Sequence, residues 1–269
     1  MQNALYSAGF APPSTDEYKT KKLVLRKIEK GTYVIGGEIC EGGINTKHNV
    51  NMPRDYYVAI FELTECQYNR LMLSATPGTS LLPKGNISWN TVRGSAGVKS
   101  SPGDGCLKTL NDKCTFNGSS SAQEGVFDLP TASMWEVAAR AGTSTSYLWG
   151  DAPTTEGKNI YAWWSGYSGG SAHTVGTKQP NNWGLWDTCG NRHEIMLDMA
   201  PGDNVDYATA AGSSGFEPVS TSTNKSGYRI FKGGSLGGSA WSFQSYTVEA
   251  AGSASANYGG IRVSFVPKG

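Results

Sequence analysis

The chain has 269 residues, of which 38% are hydrophobic, 11% aromatic and 17% charged, and its formal net charge is +1. A nearly neutral chain lacks the positive field that would attract nucleic acid. No apolar run reaches the eighteen or so residues that a membrane span needs. The 35 glycines and 8 tryptophans, combined with few long helical patterns, indicate a loop-rich domain that is large enough to bury a core.

The first 22 residues carry Pro, Ser and Thr and are predicted to form an N-terminal arm, followed by one domain over residues 23–269. They hold no basic segment followed by an apolar core, so they do not form a secretory signal as written. The localisation stays open, with the cytosol, a cell surface and a phage particle as alternatives.

Three short strands are predicted early in the chain, at Leu23–Ile28, Gly31–Gly37 and Tyr56–Phe61. Each run is rich in the β-branched and aromatic residues that suit a half-buried sheet, and turn-forming residues separate them. They indicate a small twisted antiparallel sheet as the framework of the domain.

The first predicted helix spans Glu62–Met72, where Thr64 and Gln67 have the spacing of a capping box. A shorter helix is predicted after Ser88, whose side chain can cap it. The Gly-, Ser- and Lys-rich residues 94–125 that follow are predicted to be a long surface insertion.

The second main helix is predicted over Leu129–Gly142, with Thr131 as its cap and Gly142 just past its end. Aromatic loops with tight turns follow, and residues 200–227 are predicted to be another polar insertion. Few helices, short strands and long loops indicate an α+β fold with two main helices.

The five cysteines leave at least one thiol unpaired. Cys106 and Cys114 flank a short polar loop and could close a disulfide, although free buried thiols are the alternative. No cysteine pair has the spacing of a zinc site.

The C-terminal stretch from 228 to 266 differs from the rest of the chain. Two predicted strands, Tyr228–Phe231 and Ile261–Val266, enclose more than twenty residues of Gly, Ser and Ala that are punctuated by aromatic residues. Rigid rings supply contact area while Ser and Gly adapt, so this composition predicts a binding surface held between two framework strands.

An ordered set of motifs resembles a known family: GTYVIGGE, YYVAIFELTECQY, ISWNTVRG, LPTASMWEVAARAG, NNWGLWDTCGNRHE and FKGGS…GIRV. Together, from about Gly31 to Val266, they are similar to the formylglycine-generating-enzyme (sulfatase-modifying factor) domain, whose fold is an elaborated C-type-lectin-like one. The resemblance implies this fold for residues 23–269.

Two departures from the family pattern concern its chemistry. The copper-binding cysteines of the oxidase would fall on Gly238 and Phe243, which carry no thiol. The usual Trp-Glu-Trp after the GN pair is replaced by residues 192–195, in which His193 and Glu194 are expected to have a structural role. The resemblance therefore implies a kept fold and a lost oxidase activity, with a copper-dependent oxidase or a divergent enzyme as the alternative.

One branch of the family, the variable proteins of diversity-generating retroelements, also ends in a KGGS…GIR-like stretch. In these proteins a reverse transcriptase randomises adenine-bearing codons, and the varied side chains bind a ligand. The resemblance implies a hypervariable region at about 236–260 and a protein or other surface macromolecule as the partner. The predicted ligand-binding residues are Gly237, Gly238, Ser239, Trp241, Ser242, Phe243, Ser245, Tyr246, Ala254, Ser255, Asn257 and Tyr258.

Calcium is the one cofactor that the resemblance suggests, since the oxidases hold it structurally. Asn159, the carbonyl of Ile160 and Asp187 fall near matching positions, and oxygen ligands on turns suit a hard cation. The acidic partner expected shortly after Asn159 is missing, so a turn-capping role for Asp187 is the alternative. A structural or cell-surface module without a varied site is a third possible function.

Overall fold

A computed structural model describes residues 15–37, 44–72, 75–94, 97–113, 115–116, 119–120, 124–202, 205–220, 224–238, 240–252 and 259–268. The strands in these ranges are β1 (Leu25–Ile28), β2 (Gly31–Ile35), β3 (His48–Met52), β4 (Tyr56–Ala59), β5 (Thr115–Phe116), β6 (Ser119–Ser120), β7 (Gly125–Asp128), β8 (His193–Pro201), β9 (Asn224–Lys232), β10 (Glu249–Gly252), β11 (Gly259–Gly260) and β12 (Ser264–Pro267). The helices are α1 (Glu17–Thr20), α2 (Glu65–Leu71), α3 (Trp89–Arg93), α4 (Cys106–Lys113), α5 (Ala132–Arg140), α6 (Thr155–Tyr161), α7 (Tyr207–Ala211) and a 3-10 turn, Ala240–Phe243.

The strands form two four-stranded sheets and two short pairs. The first sheet has the order β1-β4-β12-β7 and is antiparallel throughout. The second has the order β10-β9-β8-β11, in which only the short β11 runs parallel to its neighbour. The predicted early strands are confirmed as β1, β2 and β4, each somewhat shorter than expected.

The three predicted helix starts are confirmed by side-chain caps. Thr64 and Gln67 form the full capping box of α2, and Ser88 accepts a hydrogen bond from the amide of Thr91 at the start of α3. Thr131 accepts from the amide of Met134 at the start of α5. These are contacts across three residues, so the local sequence is sufficient to specify them.

Both predicted insertions contain core helices, which corrects the expectation of surface loops. Within residues 94–125, α4 is longer than α2 and buries Cys106, Leu107 and Leu110. Within residues 200–227, α7 buries Tyr207, whose side chain is 1% exposed. The structure thus contains short helices in addition to the two main ones that are predicted, because short amphipathic segments between polar residues give little helical pattern in the sequence.

The described part of the predicted arm packs against α2. Gln67 donates from Nε2 to the carbonyls of Tyr18 and Lys22, and Thr64 donates from Oγ1 to the carbonyl of Lys19. The Cys106 thiol is free and buried, so the alternative to the disulfide holds at that residue, while Cys114 lies outside the described residues.

The last strand region is buried on both faces. Ile261, Val263 and Phe265 are fully buried as their alternation suggests, but Arg262 and Ser264 are buried as well. Hydrogen bonds compensate for the burial of these two polar side chains: Arg262 donates from Nη1 to the carbonyl of Ala59, and Ser264 donates from Oγ to the carbonyl of Asp128. Within the described ranges, no helix combines the length and apolar character that crossing a membrane requires.

Candidate functional site

An open cleft of about 620 Å³ lies where β9 and β10 meet the loop that follows Gly234. It is the candidate binding site, because it combines an apolar floor with a few polar groups. The residues that line it are His193, Phe231, Ser235, Gly237, Gly238, Trp241, Ser242, Glu249, Ala250 and Ala251.

A glycine turn sets the position of the loop above the cleft. Gly233 and Gly234 have φ values of +86° and +68°, which residues with a side chain rarely adopt. A Cβ at Gly234 would lie 2.7 Å from Cδ1 of Phe243, so this glycine also allows close packing. Backbone bonds from Gly190 to Gly233 (2.8 Å) and from Leu236 to Asn191 (3.0 Å) tie the turn to the neighbouring loop.

Two of the polar side chains in the cleft, His193 and Glu249, form a hydrogen-bonded pair. His193 Nε2 lies 3.0 Å from Oε1 of Glu249, and these two side chains are 15% and 21% exposed. The His193 ring meets Phe231 edge-on, with the ring centroids 6.3 Å apart. Only a structural role is predicted for His193 from the sequence, yet it lines the cleft because β8 brings it alongside β9.

Four of the predicted contact residues are buried, which corrects the expectation that they form an exposed surface. Ser242, Phe243, Ser245 and Tyr246 are 2%, 1%, 4% and 6% exposed. Of these, only Ser242 reaches the cleft wall. An aromatic residue between small residues can be either a core ring or an exposed contact residue. This segment has no helical or strand period that would distinguish these two cases.

The two buried rings are parts of the core. Phe243 packs in a cluster with Tyr147, Ala162 and Cys189. The ring of Tyr246 lies directly against Gly37, where a Cβ would clash, and its centroid is 5.9 Å from the guanidinium of Arg140.

Besides Ser242, three predicted residues line the cleft. Gly237 is exposed, and Gly238 and Trp241 are half-buried at its wall. The remaining predicted residues lie outside the described residues, namely Ser239, Ala254, Ser255, Asn257 and Tyr258. The sequence did not predict the cleft residues of β8, β9 and β10. Strand pairing brings these residues together, and no local sequence signal marks them.

A buried charge network supports the floor. Arg262 donates from Nε and Nη2 to the carboxylate of Glu194, with its Nη2 2.6 Å from Oε1, and Trp135 donates its indole N–H to the same carboxylate. Glu62 lies beside this pair, and burial raises its pKa well above the ordinary value. Glu194 therefore has the expected structural role, since it anchors β8 to the centre of the molecule.

The described thiols do not fit a copper centre. Cys66, Cys106 and Cys189 are free and buried, and burial raises the pKa of Cys106 and Cys189 to about 12. Copper ligands of this type are thiolates, which such an environment disfavours. At the position corresponding to Gly238, a Cβ would clash with Oγ of Ser242.

Several of the oxygen atoms suggested for calcium are engaged in other contacts, while Oδ1 of Asp187 is buried without a hydrogen-bond partner among the described residues. The carbonyl of Asn159 accepts a hydrogen bond from Lys178 Nζ at 2.5 Å, and its side-chain oxygen accepts from Trp164 Nε1 at 3.0 Å. Oδ2 of Asp187 accepts from the amide of Gly176 at 2.6 Å. No group of three or more His, Cys, Asp or Glu side chains suited to a metal occurs in the part of the chain that the structure describes.

Over residues 10–265 the chain matches the sulfatase-modifying factor enzyme 1-like domain. One relative, the formylglycine-generating enzyme of Thermomonospora curvata, is 32% identical over 118 residues. That match covers 40% of this chain and only 38% of the enzyme.

Several solved structures have the same fold. Treponema denticola variable protein 1 has a TM-score of 0.64 and 21% identity, covering 90% of this chain and 94% of its own. PvdO from Pseudomonas aeruginosa has a TM-score of 0.66 and 16% identity, covering 90% and 93%. CarF has a TM-score of 0.58 and 19% identity, covering 92% and 99%. The expected α+β, C-type-lectin-like fold is thereby confirmed, and identities this low show the fold alone.

Proposed function

The chain belongs to the family of sulfatase-modifying factor enzyme 1-like domains, and we propose that it is a non-catalytic member whose C-terminal cleft binds a protein or another surface macromolecule. The observation that carries the proposal is the cleft of about 620 Å³ built from residues 235–251, between strands that are anchored in the core. A preformed cleft of this size lowers the entropic cost of binding, because its walls are already ordered.

The thiol arrangement supports a loss of the oxidase chemistry. The two positions that the resemblance assigns to the copper ligands are a glycine on the cleft wall and a buried phenylalanine. Within the described residues, the thiol next to Phe243 is that of Cys189, which is buried and whose sulfur lies 3.7 Å from the carbonyl oxygen of Phe243. A single protonated thiol cannot replace a pair of thiolates.

Diversification by a retroelement is part of the same proposal. The likeness to Treponema denticola variable protein 1 supports it, since that protein is named for its variability. The burial of Phe243 and Tyr246 limits the positions that can vary, because substitutions of these two residues would disturb the core. We therefore propose that the variation lies at the cleft wall, at positions such as Gly237 and Ala250.

Filling the cleft tests the binding function. Gly237 lines the cleft, its φ is not in the left-handed region, and a Cβ there would have no atom within 4 Å. Gly237→Trp should therefore fold normally. On an array of extracellular proteins and glycans, it should lose binding to every spot that binds the parent chain. The matched control is Gly97→Trp, because Gly97 is exposed and a Cβ there also has open space. Equal binding by both variants would refute the cleft as the site.

The enzymatic alternative is separated by a turnover assay. The chain is incubated with copper and a cysteine-bearing sulfatase peptide, and formation of formylglycine is followed by mass spectrometry. We expect no product. Formation of formylglycine by protein free of contaminating enzyme would overturn the non-catalytic assignment.

The diversification is tested in the neighbouring DNA. This DNA should contain a reverse-transcriptase gene and a near-copy of the coding region for 236–260 that differs at adenines.

A further inference from the structure

The cleft borders an open sheet edge. β10 is the outermost strand of the second sheet and pairs only with β9 within the described residues. Its four residues carry no Pro or Lys, which are common guards of exposed edges, and three of them are Ala or Gly. The one charged residue of β10 is Glu249. Such an edge presents unpaired N–H and C=O groups to another polypeptide.

The cleft lies over the face of the sheet that carries His193 and Phe231, and it also extends past the β10 edge. Glu249, Ala250 and Ala251 follow one another in β10, and all three line the cleft. Successive side chains of a strand point to opposite faces, so a single cleft reaches all three only beside the backbone. Ala250 is exposed, and the small side chains leave room for a further strand.

A cation lies on the same face, next to the cleft. Arg229 of β9 pairs in register with Ala251, two residues from Phe231 on the cleft floor. Its guanidinium stacks 4.2 Å from the Trp89 ring, and its Nε atom is buried without a hydrogen-bond partner. In the described residues it has no carboxylate partner, and its Nη1 makes only one long bond, to the carbonyl of Tyr228. A half-buried, unpaired guanidinium favours an anionic partner.

We propose that the ligand is an extended segment of a partner polypeptide that adds a strand to β10. Its backbone pairs with the β10 edge, an apolar side chain enters the cleft between Trp241 and Phe231, and an acidic side chain reaches Arg229 across the small Ala251. Backbone pairing supplies affinity that tolerates sequence variation, and the two side-chain contacts supply specificity. This inference rests on the proposed binding function and names its ligand class.

The test begins with a library of linear random 12-residue peptides displayed on phage. The library is selected on the full chain and counter-selected on the Gly237→Trp variant, with Gly97→Trp as the control. We expect enriched peptides that combine an apolar residue with Asp or Glu at a fixed spacing. A peptide from this set is then synthesised with one backbone amide N-methylated at a time.

Strand addition predicts a period of two in this scan. N-methylation of the amides that face β10 should weaken binding by about tenfold each, and the alternate amides should tolerate it. In addition, Arg229→Gln should weaken the acidic peptide by about tenfold and leave its Asn or Gln counterpart nearly unchanged. The scan uses the unaltered chain, so it decides the question even if Arg229→Gln folds poorly.

Three outcomes would overturn the inference. In the first, no peptide is enriched on the parent chain relative to the Gly237→Trp variant. In the second, the N-methylation scan shows no alternation, and in the third the chain binds only folded proteins or glycans. The last of these would leave the proposed function intact, since such ligands would still depend on the open cleft. Ligands that bind the chain and its Gly237→Trp variant equally would remove both proposals together.

Discussion

The substitution Phe243→Ala distinguishes a core residue from a contact residue within the same short segment. Phe243 is 1% exposed and packs with Tyr147, Ala162 and Cys189. Truncating a fully buried Phe costs about 3–5 kcal/mol, because both the transfer free energy and a cavity contribute. For a domain of this size the loss corresponds to a decrease in Tm of roughly 6–15 °C.

Trp241→Ala is the matched comparison two residues away. Trp241 is half-buried at the cleft wall, so its truncation should cost about 1 kcal/mol of stability or less. As a central aromatic contact it should weaken ligand binding by about 2 kcal/mol, which is roughly thirtyfold.

Both variants are examined by urea unfolding and by titration with a ligand selected on the parent chain. The expected pattern is opposite: Phe243→Ala loses stability and binds normally at low temperature, whereas Trp241→Ala is stable and binds weakly. A stable Phe243→Ala variant that has lost affinity would refute the assignment of this ring to the core.

Three further predictions concern buried groups. Glu136→Gln should destabilise the fold by about 3–5 kcal/mol in urea unfolding, because the buried Lys232 ammonium, 3.0 Å from Oε2, and the guanidinium of Arg140 would lose this negative charge. Burial raises the pKa of Asp187 from 3.8 to about 6, so the native state binds this proton more tightly than the unfolded state and the group costs stability as pH rises through that window. Asp187→Asn should gain stability relative to the parent between pH 4 and 7, by up to about 3 kcal/mol. The thiols of Cys106 and Cys189 should resist alkylation at pH 8 until the chain unfolds, because burial holds the pKa of each at about 12.

Surface residues provide the controls for these measurements. Lys108→Gln breaks an exposed ion pair with Asp112 and should change the free energy of unfolding by less than about 0.5 kcal/mol. A Glu136→Gln variant as stable as the parent, a pH slope unaffected by Asp187→Asn, or rapid labelling of the native Cys189 would each contradict the corresponding argument.

The sequence by itself determined the features that depend on neighbouring residues. The caps at Thr64, Ser88 and Thr131 follow from contacts three residues apart, and the ordered motifs sufficed to indicate the family and the α+β fold. They also predicted that the C-terminal stretch carries the candidate site.

Only the tertiary structure decided which residues of that stretch face a ligand. The segment containing Phe243 and Tyr246 has no helical or strand period, so its burial depends on partners such as Gly37 and Tyr147, far away in the chain. The cleft likewise requires β8, β9 and β10 to pair, which brings His193 to Glu249 across 56 positions. Contacts over such distances arise from the packing of the whole chain, and local composition does not encode them.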